Sequence, residues 1–359
     1  MNFSFPKIET EESAISSVLG KFYTRELEQL IDNESFSNIT GFTKRFTKNL
    51  SAYFGYEVHL GSTNLNGDIL LCVSNPENFR EYVHSEINSA SANKFDTDTL
   101  NGLENFSRFW SEESNNSFKQ INNIWFEFDY KEIGKNTPKA CFFFGPKLSL
   151  NKLEVLLLTE KIFRQIFHKK IEPFTLRELL KIYHVLGEEE FISQIGMMNS
   201  RGDQSLRLFI QGNSKTWIPQ FLSVLKYPYI NYPDFKSQLN ECLEFASVVD
   251  LDIDIYQKIG DKIGLECYFQ TTEKALIFLD HLSQKGLVLK QKAEKLKEYL
   301  LRLKTDKSKM FQPFFSHFKL VYYPANGFYA KAYIGYVNHK ELPNIIQTKP
   351  AKIKSYEKN

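Results

Sequence analysis

Val248-Val249-Asp250-Leu251-Asp252-Ile253-Asp254-Ile255 is followed, beyond Gly260-Asp261, by Gly264-Leu265-Glu266-Cys267-Tyr268-Phe269-Gln270, and these two runs decide the fold. Side chains on a strand alternate between two faces, so Asp250, Asp252 and Asp254 share one face while Leu251 and Ile253 share the other. Across the turn, Glu266, Tyr268 and Gln270 oppose Leu265, Cys267 and Phe269 in the same manner. Alternating runs of β-branched and aromatic residues around turn formers are the signature of an antiparallel hairpin, here with one polar and one apolar face.

The signature recurs along the chain. Tyr56 to Leu60 pairs with Gly67 to Val73, Ile124 to Tyr130 with Ala140 to Phe144, Ile192 to Asn199 with Ser205 to Gln211, and Phe318 to Tyr323 with Tyr329 to Val337. Between hairpins lie paired segments with apolar residues at three-to-four spacing, such as Asn151 to His168 and Thr175 to Glu189, where Thr175 is placed to cap the second helix. The Ser- and Asn-rich stretch from Asn88 to Leu100 is expected to be a loop. Hairpins start at intervals of roughly 60 to 70 residues, longer than ordinary solenoid periods. A closed ring therefore fits better than a stack, because closure removes the exposed edges of a large antiparallel sheet. The expected fold is α+β: five ααββ repeats forming a ten-stranded antiparallel β-barrel surrounded by a ring of helices. It occupies one domain over residues 1–345, followed by a basic, frayed tail over 346–359.

Composition sets the outer limits. With 42% hydrophobic and 25% charged residues in 359, the chain is not disordered. Its 32 Phe and 18 Tyr imply strands with large side chains, a cavity walled by rings, or both. A net charge of +2 provides no strong field for nucleic acid or an anionic membrane. No run of about eighteen apolar residues is present, so no membrane partner and a cytoplasmic location are expected. Cys72, Cys141, Cys242 and Cys267 are far apart and lack Cys-x-x-Cys spacing, which predicts buried free thiols. The absence of His-Glu-x-x-His, Gly-x-Gly-x-x-Gly, a Walker loop and Gly-x-Ser-x-Gly removes dinucleotide enzymes, P-loop NTPases and serine hydrolases of familiar type.

The other hairpins sort in the same way as the fourth. Trp125, Glu127 and Asp129 oppose Ile124, Phe126 and Phe128; Arg207, Phe209 and Gln211 share one face; Lys319 and Tyr323 share another, as do Lys331 and Tyr333. If helices cover the apolar face, this polar set lines the barrel. The alternative is a polar face that meets water.

Repeat pattern and lumen composition together resemble the ABBA-type aromatic and peptide prenyltransferases, which include the dimethylallyltryptophan synthases. The resemblance covers nearly the whole chain and rests on architecture, with no single diagnostic motif. It implies a transferase of secondary metabolism or peptide modification, moving a dimethylallyl or geranyl group from its diphosphate to an aromatic small molecule or peptide, with no required cofactor. Arg207, Lys319 and Lys331 match the need for cationic donors to a diphosphate. Tyr268, Tyr323 and Tyr333 match a shield of π faces around the carbocation. Glu127 would take the proton or orient the acceptor, and Trp125 and Phe209 would wall the acceptor site.

Plainer roles stand beside these. Glu127 also fits an ion pair with Arg207, Lys319 and Lys331 fit charges at a strand edge, and Tyr336 fits ordinary packing. The acidic fourth hairpin departs from a site built for diphosphate alone. Asp250, Asp252 and Glu266 would hold a magnesium ion bridging to phosphate, or the lumen would admit a cationic substrate. A calcium loop is disfavoured, since Ile255 and Asp261 stand where Gly and Glu are needed. A functional alternative is a non-catalytic or differently acting barrel that binds a peptide in a natural-product pathway.

Overall fold

Hairpins and helix pairs alternate from one end of the chain to the other in this computed structural model. It describes residues 14–22, 26–88, 97–111, 120–135, 138–168, 170–198, 205–212, 216–303, 310–338 and 341. The first repeat is α1 (Ile15–Phe22), α2 (Asn33–Thr43), β1 (Tyr53–His59) and β2 (Gly67–Val73). The second is α3 (Pro76–Asn88), α4 (Thr97–Ser111), β3 (Ile121–Phe128) and β4 (Cys141–Pro146), with a one-turn helix α5 (Tyr130–Ile133) between its strands. The third is α6 (Lys152–Phe167), α7 (Pro173–Val185), β5 (Phe191–Met197) and β6 (Leu206–Gln211). The fourth is α8 (Trp217–Val224), α9 (Pro233–Phe245), β7 (Val248–Ile255) and β8 (Ile259–Tyr268). The last is α10 (Thr272–Gln284), α11 (Lys290–Arg302), β9 (Phe311–Tyr323) and β10 (Gly327–Asn338).

All ten strands join one closed antiparallel barrel in the order β1-β10-β9-β8-β7-β6-β5-β4-β3-β2, as the repeats predict. Each hairpin neighbours the next, and β1 closes on β10 from Tyr53 opposite Val337 to His59 opposite Lys331. At this seam Gly55 faces Gly335. A Cβ on Gly335 would lie 2.4 Å from the Phe54 carbonyl oxygen and 2.5 Å from the Gly55 Cα, so only glycine lets the two strands approach there.

The apolar strand faces meet the helices. Phe42 packs edge-on to Phe128 at 4.9 Å between centroids, Phe106 to Phe142 at 5.8 Å, and Phe278 lies 6.0 Å from Phe318. Much of the phenylalanine therefore fills the layer between barrel and helices, where each fully buried ring contributes about 1.5–3 kcal/mol. The four cysteines are buried and free. Burial raises the thiols of Cys72 and Cys267, which makes them poor nucleophiles. Among the described residues no helix is long and apolar enough to cross a membrane.

Some boundaries differ from expectation. Asn151 caps α6 through a reciprocal capping box with Glu154, but α7 begins at Pro173, and Thr175 is buried inside its first turn instead of capping it. Proline with its fixed φ starts that helix without a side-chain cap. Helix α4 begins at Thr97, within the stretch expected to be loop. Strand β9 starts at Phe311, seven residues before the expected Phe318. Pro313 and a bulge that skips Ser316 between the Tyr333–His317 and Ile334–Phe315 pairs break its alternation and hide it from a periodicity search. The basic tail, 346–359, and the turn Arg201-Gly202-Asp203 lie outside the described residues.

Candidate active site in the barrel lumen

Register places the polar strand faces inside the barrel, and they divide by chemistry. Toward the hairpin-turn end lie Arg207 on β6, Asp252 and Asp254 on β7, Lys262 and Glu266 on β8, Lys319 on β9, Lys331 on β10 and Glu57 on β1. Arg207 donates to both carboxylate oxygens of Asp254, from Nε at 2.7 Å and Nη2 at 2.9 Å, and its Nε lies 3.4 Å from Asp252. Lys319 reaches Asp252 at 2.5 Å and Glu266 at 3.2 Å. Its stem crosses β8 at Gly264, where a Cβ would stand 2.7 Å from Lys319 Cε, so glycine there opens the path to Asp252. Lys331 and the Tyr333 hydroxyl both donate to Glu57.

Burial works against the charges of Asp252, Glu57, Lys319 and Arg207, and the pairing overcomes it. Asp252 is held well below the usual carboxylate range by Arg207 and Lys319 despite its burial, and Glu57 likewise by Lys331 and His59. Lys319 and Arg207 are pushed up by their carboxylate neighbours. Lys262 behaves differently. Burial and the nearby Arg207 push it down to about 8 against the pull of Asp252 and Asp254. A diphosphate held here would meet a Lys262 cation below about pH 8 and a neutral amine above it. Its affinity is therefore expected to fall as pH rises from 7 to 9, and Lys262→Met to weaken it about tenfold or more and flatten that dependence, as calorimetric titration with inorganic diphosphate would show.

Next to the ion pairs stands a cluster of three rings. The His317 imidazole lies nearly parallel to Tyr333 at 4.3 Å and 17°, and is tilted at 41° to Tyr268 with 4.8 Å between ring centres. Tyr268 donates to Glu266 at 2.9 Å. Burial pushes His317 down to about 4, so its imidazole is neutral near pH 7 and offers a π face where an imidazolium would repel a carbocation. Lys319 Nζ sits 4.8 Å from the Phe209 ring centre.

The far end of the lumen is apolar. Tyr53, Cys72 and Val337 form one buried cluster with Leu70, Trp125 and Phe314 packed on it, and Cys141, Phe143 and Met198 form another that shares Trp125 and adds Phe209. Trp125 lies 5.4 Å from Tyr53 and donates from Nε1 to Asn123 at 3.1 Å. Glu127 is buried on the same strand face as Trp125. It is close enough to Arg207 and Tyr333 to act on both electrostatically, whereas the bidentate partner of Arg207 is Asp254.

The structure thus gathers Glu127, Arg207, Lys319, Lys331, Tyr268, Tyr333, Trp125 and Phe209 around one lumen, and two expectations need correcting. Tyr323 shares the Lys319 face but stands at the last position of β9 and is 45% exposed, so it cannot keep water from a cation. Asp250, Asp252 and Glu266 do not form a magnesium cage. Asp252 and Glu266 are committed to Lys319, and Asp252 also faces Arg207, so a dication would have to displace two buried cations. Lys319 and Lys331 are buried rather than edge charges. Sequence reasoning missed Glu57, Lys262 and His317. Each lies in a part of a strand beyond the expected bounds or on one whose alternation was not sorted.

Ten antiparallel strands closed inside five helix pairs define the PT barrel, the fold of the ABBA prenyltransferases. Among solved structures, the apo form of the prenyltransferase PriB superposes with a TM-score of 0.53 at 10% identity, covering 90% of this chain and 96% of that one. The 5-dimethylallyl tryptophan synthase from Streptomyces coelicolor, in complex with DMASPP and Trp, gives 0.50 at 8% identity over 94% and 98%. AnaPT from Neosartorya fischeri gives 0.51 at 14% identity over 90% and 98%. At such identities the likeness establishes the fold. No protein-family model and no curated protein matches the chain.

Proposed function

We propose that this protein transfers an allylic group, dimethylallyl or geranyl, from its diphosphate to an aromatic acceptor within the lumen. The observation that carries this reading is the order of chemistry along the barrel: four cations at one end, the clustered rings of Tyr333, His317 and Tyr268 beside them, and an apolar, Trp125-walled floor beyond. The donor diphosphate would lie against Arg207, Lys262, Lys319 and Lys331, which stabilise the charge on the leaving group as the carbon–oxygen bond breaks. The resulting allyl cation would be held against these rings and away from water. Attack by the acceptor ring forms the new carbon–carbon bond and yields a cationic ring, from which Glu127 takes the proton to restore aromaticity. The solved neighbours bind such partners, DMASPP and Trp in one and product diphosphate in another. An aromatic residue of a peptide would meet the same floor, and the reaction would suit natural-product modification in the cytoplasm.

A second reading has its own support. Arg207, Lys319 and Lys331 already have carboxylate partners, so the barrel would hold together without a diphosphate and could serve as a peptide-binding partner. Melting temperatures measured with dimethylallyl and geranyl diphosphate separate the two. Donor present at about 100 times its dissociation constant should add about 2.7 kcal/mol to stability. An unchanged melting curve with both donors would remove the transferase reading and leave the binding one.

A further inference from the structure

The first hairpin brings together three side chains that the sequence gives no reason to associate. Glu57 and His59 occupy alternate positions on β1, and Asp68 stands opposite Glu57 on β2. Glu57 is 2% exposed, Asp68 14% and His59 39%, so the group reaches from the lumen to its rim. One ligand atom from each lies within 4.8 Å of the others. His59 Nε2 is 3.6 Å from both Glu57 Oε1 and Asp68 Oδ2. Donors bound to one metal at about 2.0–2.2 Å stand roughly 3–3.5 Å apart, so the two His59 contacts need close by only a few tenths of an ångström, and the two carboxylates, within 4.8 Å of each other, draw in around the ion.

Neighbours of the group hold the far oxygen of each carboxylate, and among the described residues Lys331 alone competes for a facing one, Glu57 Oε1. Asp68 accepts the Tyr130 backbone N–H on Oδ1 at 2.7 Å, and Glu57 accepts the Tyr333 hydroxyl on Oε2, so in each carboxylate it is the other oxygen that turns to His59. The His59 carbonyl accepts from Lys292 Nζ at 2.7 Å, which fixes the end of β1. Outer partners of this type orient ligands and raise metal affinity.

We propose that Glu57, His59 and Asp68 form a binding site for a divalent transition-metal ion of the zinc class. An imidazole nitrogen with two carboxylates suits such an ion, whereas magnesium and calcium favour oxygen donors alone. Three protein ligands leave a further position open to the lumen. The Lys331 ammonium now shares Glu57 Oε1 and must swing away when the metal enters. Its Nζ already lies 5.7 Å from the Tyr329 ring centre, a face that can receive it. The site stands independently of the proposed transfer. If that transfer holds, the ion would add positive charge beside Lys331, at the end of the lumen where a diphosphate would lie.

The test is calorimetric titration of chelator-treated full-length protein with zinc chloride, and in parallel with manganese and magnesium chloride, in the absence of any diphosphate. One equivalent of zinc should bind, with magnesium much weaker. His59→Ala and Asp68→Asn should each weaken zinc by about 10- to 100-fold, and Lys331→Gln should tighten it by removing the competing ammonium. Both ligand positions are partly exposed, and circular dichroism of each variant confirms that it is folded. No stoichiometric zinc uptake by the unsubstituted protein, or uptake unchanged in both ligand variants, overturns the site. Because no donor is present, either result is distinct from failure of the transfer reading, which the melting curves with allylic diphosphates decide.

Discussion

Lys319→Met is expected to lower the melting temperature by roughly 6–10 °C and to abolish donor binding. Lys319 is the cation between Asp252 and Glu266, and all three are buried. Removing one partner of such a group strands the others in a low-dielectric interior, at a cost of about 3–5 kcal/mol, and in a chain of this size each kcal/mol moves the midpoint by roughly 2 °C. The pH dependence has a definite sign. Asp252 has a depressed native pKa, so its contribution is present above the ordinary carboxylate range near 4 and is lost as pH falls toward the lowered native value. Without Lys319 that carboxylate protonates more easily, and the gap between variant and parent should narrow below about pH 4. Neutralising the partners as well, in Lys319→Met/Asp252→Asn/Glu266→Gln, should recover much of the stability and none of the donor affinity. A single variant that melts within about 1 °C of the parent would refute the structural half of this claim, and retained donor binding the functional half.

Gly335→Ala is expected to cost about 3 kcal/mol, near the top of the range for overfilling a packed interior. The added methyl would meet the Phe54 carbonyl oxygen and Gly55 Cα, which are backbone atoms of the strand that closes the barrel and cannot rotate aside. The loss should appear in denaturant melts as a lower midpoint with an unchanged slope, because the surface exposed on unfolding is the same. The comparison is Gly134→Ala, where nothing lies within 4 Å of a new Cβ and little change is expected. Equal behaviour of the two variants would mean that the seam tolerates separation.

The barrel was legible because its signal is local and repeated. Turn formers between alternating strands mark each hairpin, and the two-helix interval fixes the connection. The lumen set on β3, β6, β7 and β8 was legible for the same reason, since a period of two carries Trp125, Glu127, Arg207 and Glu266 to one side. What was not legible depends on pairing between distant strands. Nothing local reveals that Arg207 takes Asp254 rather than Glu127, or that Lys319 crosses Gly264 to reach Asp252. Lys262 was lost because β8 begins at Ile259, five residues before its alternation becomes regular, and His317 because Pro313 and the Ser316 bulge disguise the start of β9. Tyr323 was misjudged for a complementary reason: alternation gives the face of a residue but not its depth along the strand.

The pairing of β1 with β10 also bears on how the molecule comes to exist. Its partners are nearly three hundred residues apart in the chain, so no part of the barrel can close during synthesis until the final strand has been made. Four finished hairpins must wait with two bare edges, exposed to pairing with another chain, and a product lacking its last strand should aggregate rather than fold. By the same token, the two ends of the sheet are already side by side. A linker from beyond β10 to the segment before α1, with new termini cut at the exposed turn between Tyr323 and Gly327, would put α1 and α2 between β10 and β1, make that seam a connection like those between the other repeats, and move the long-range closure to β9 and β10.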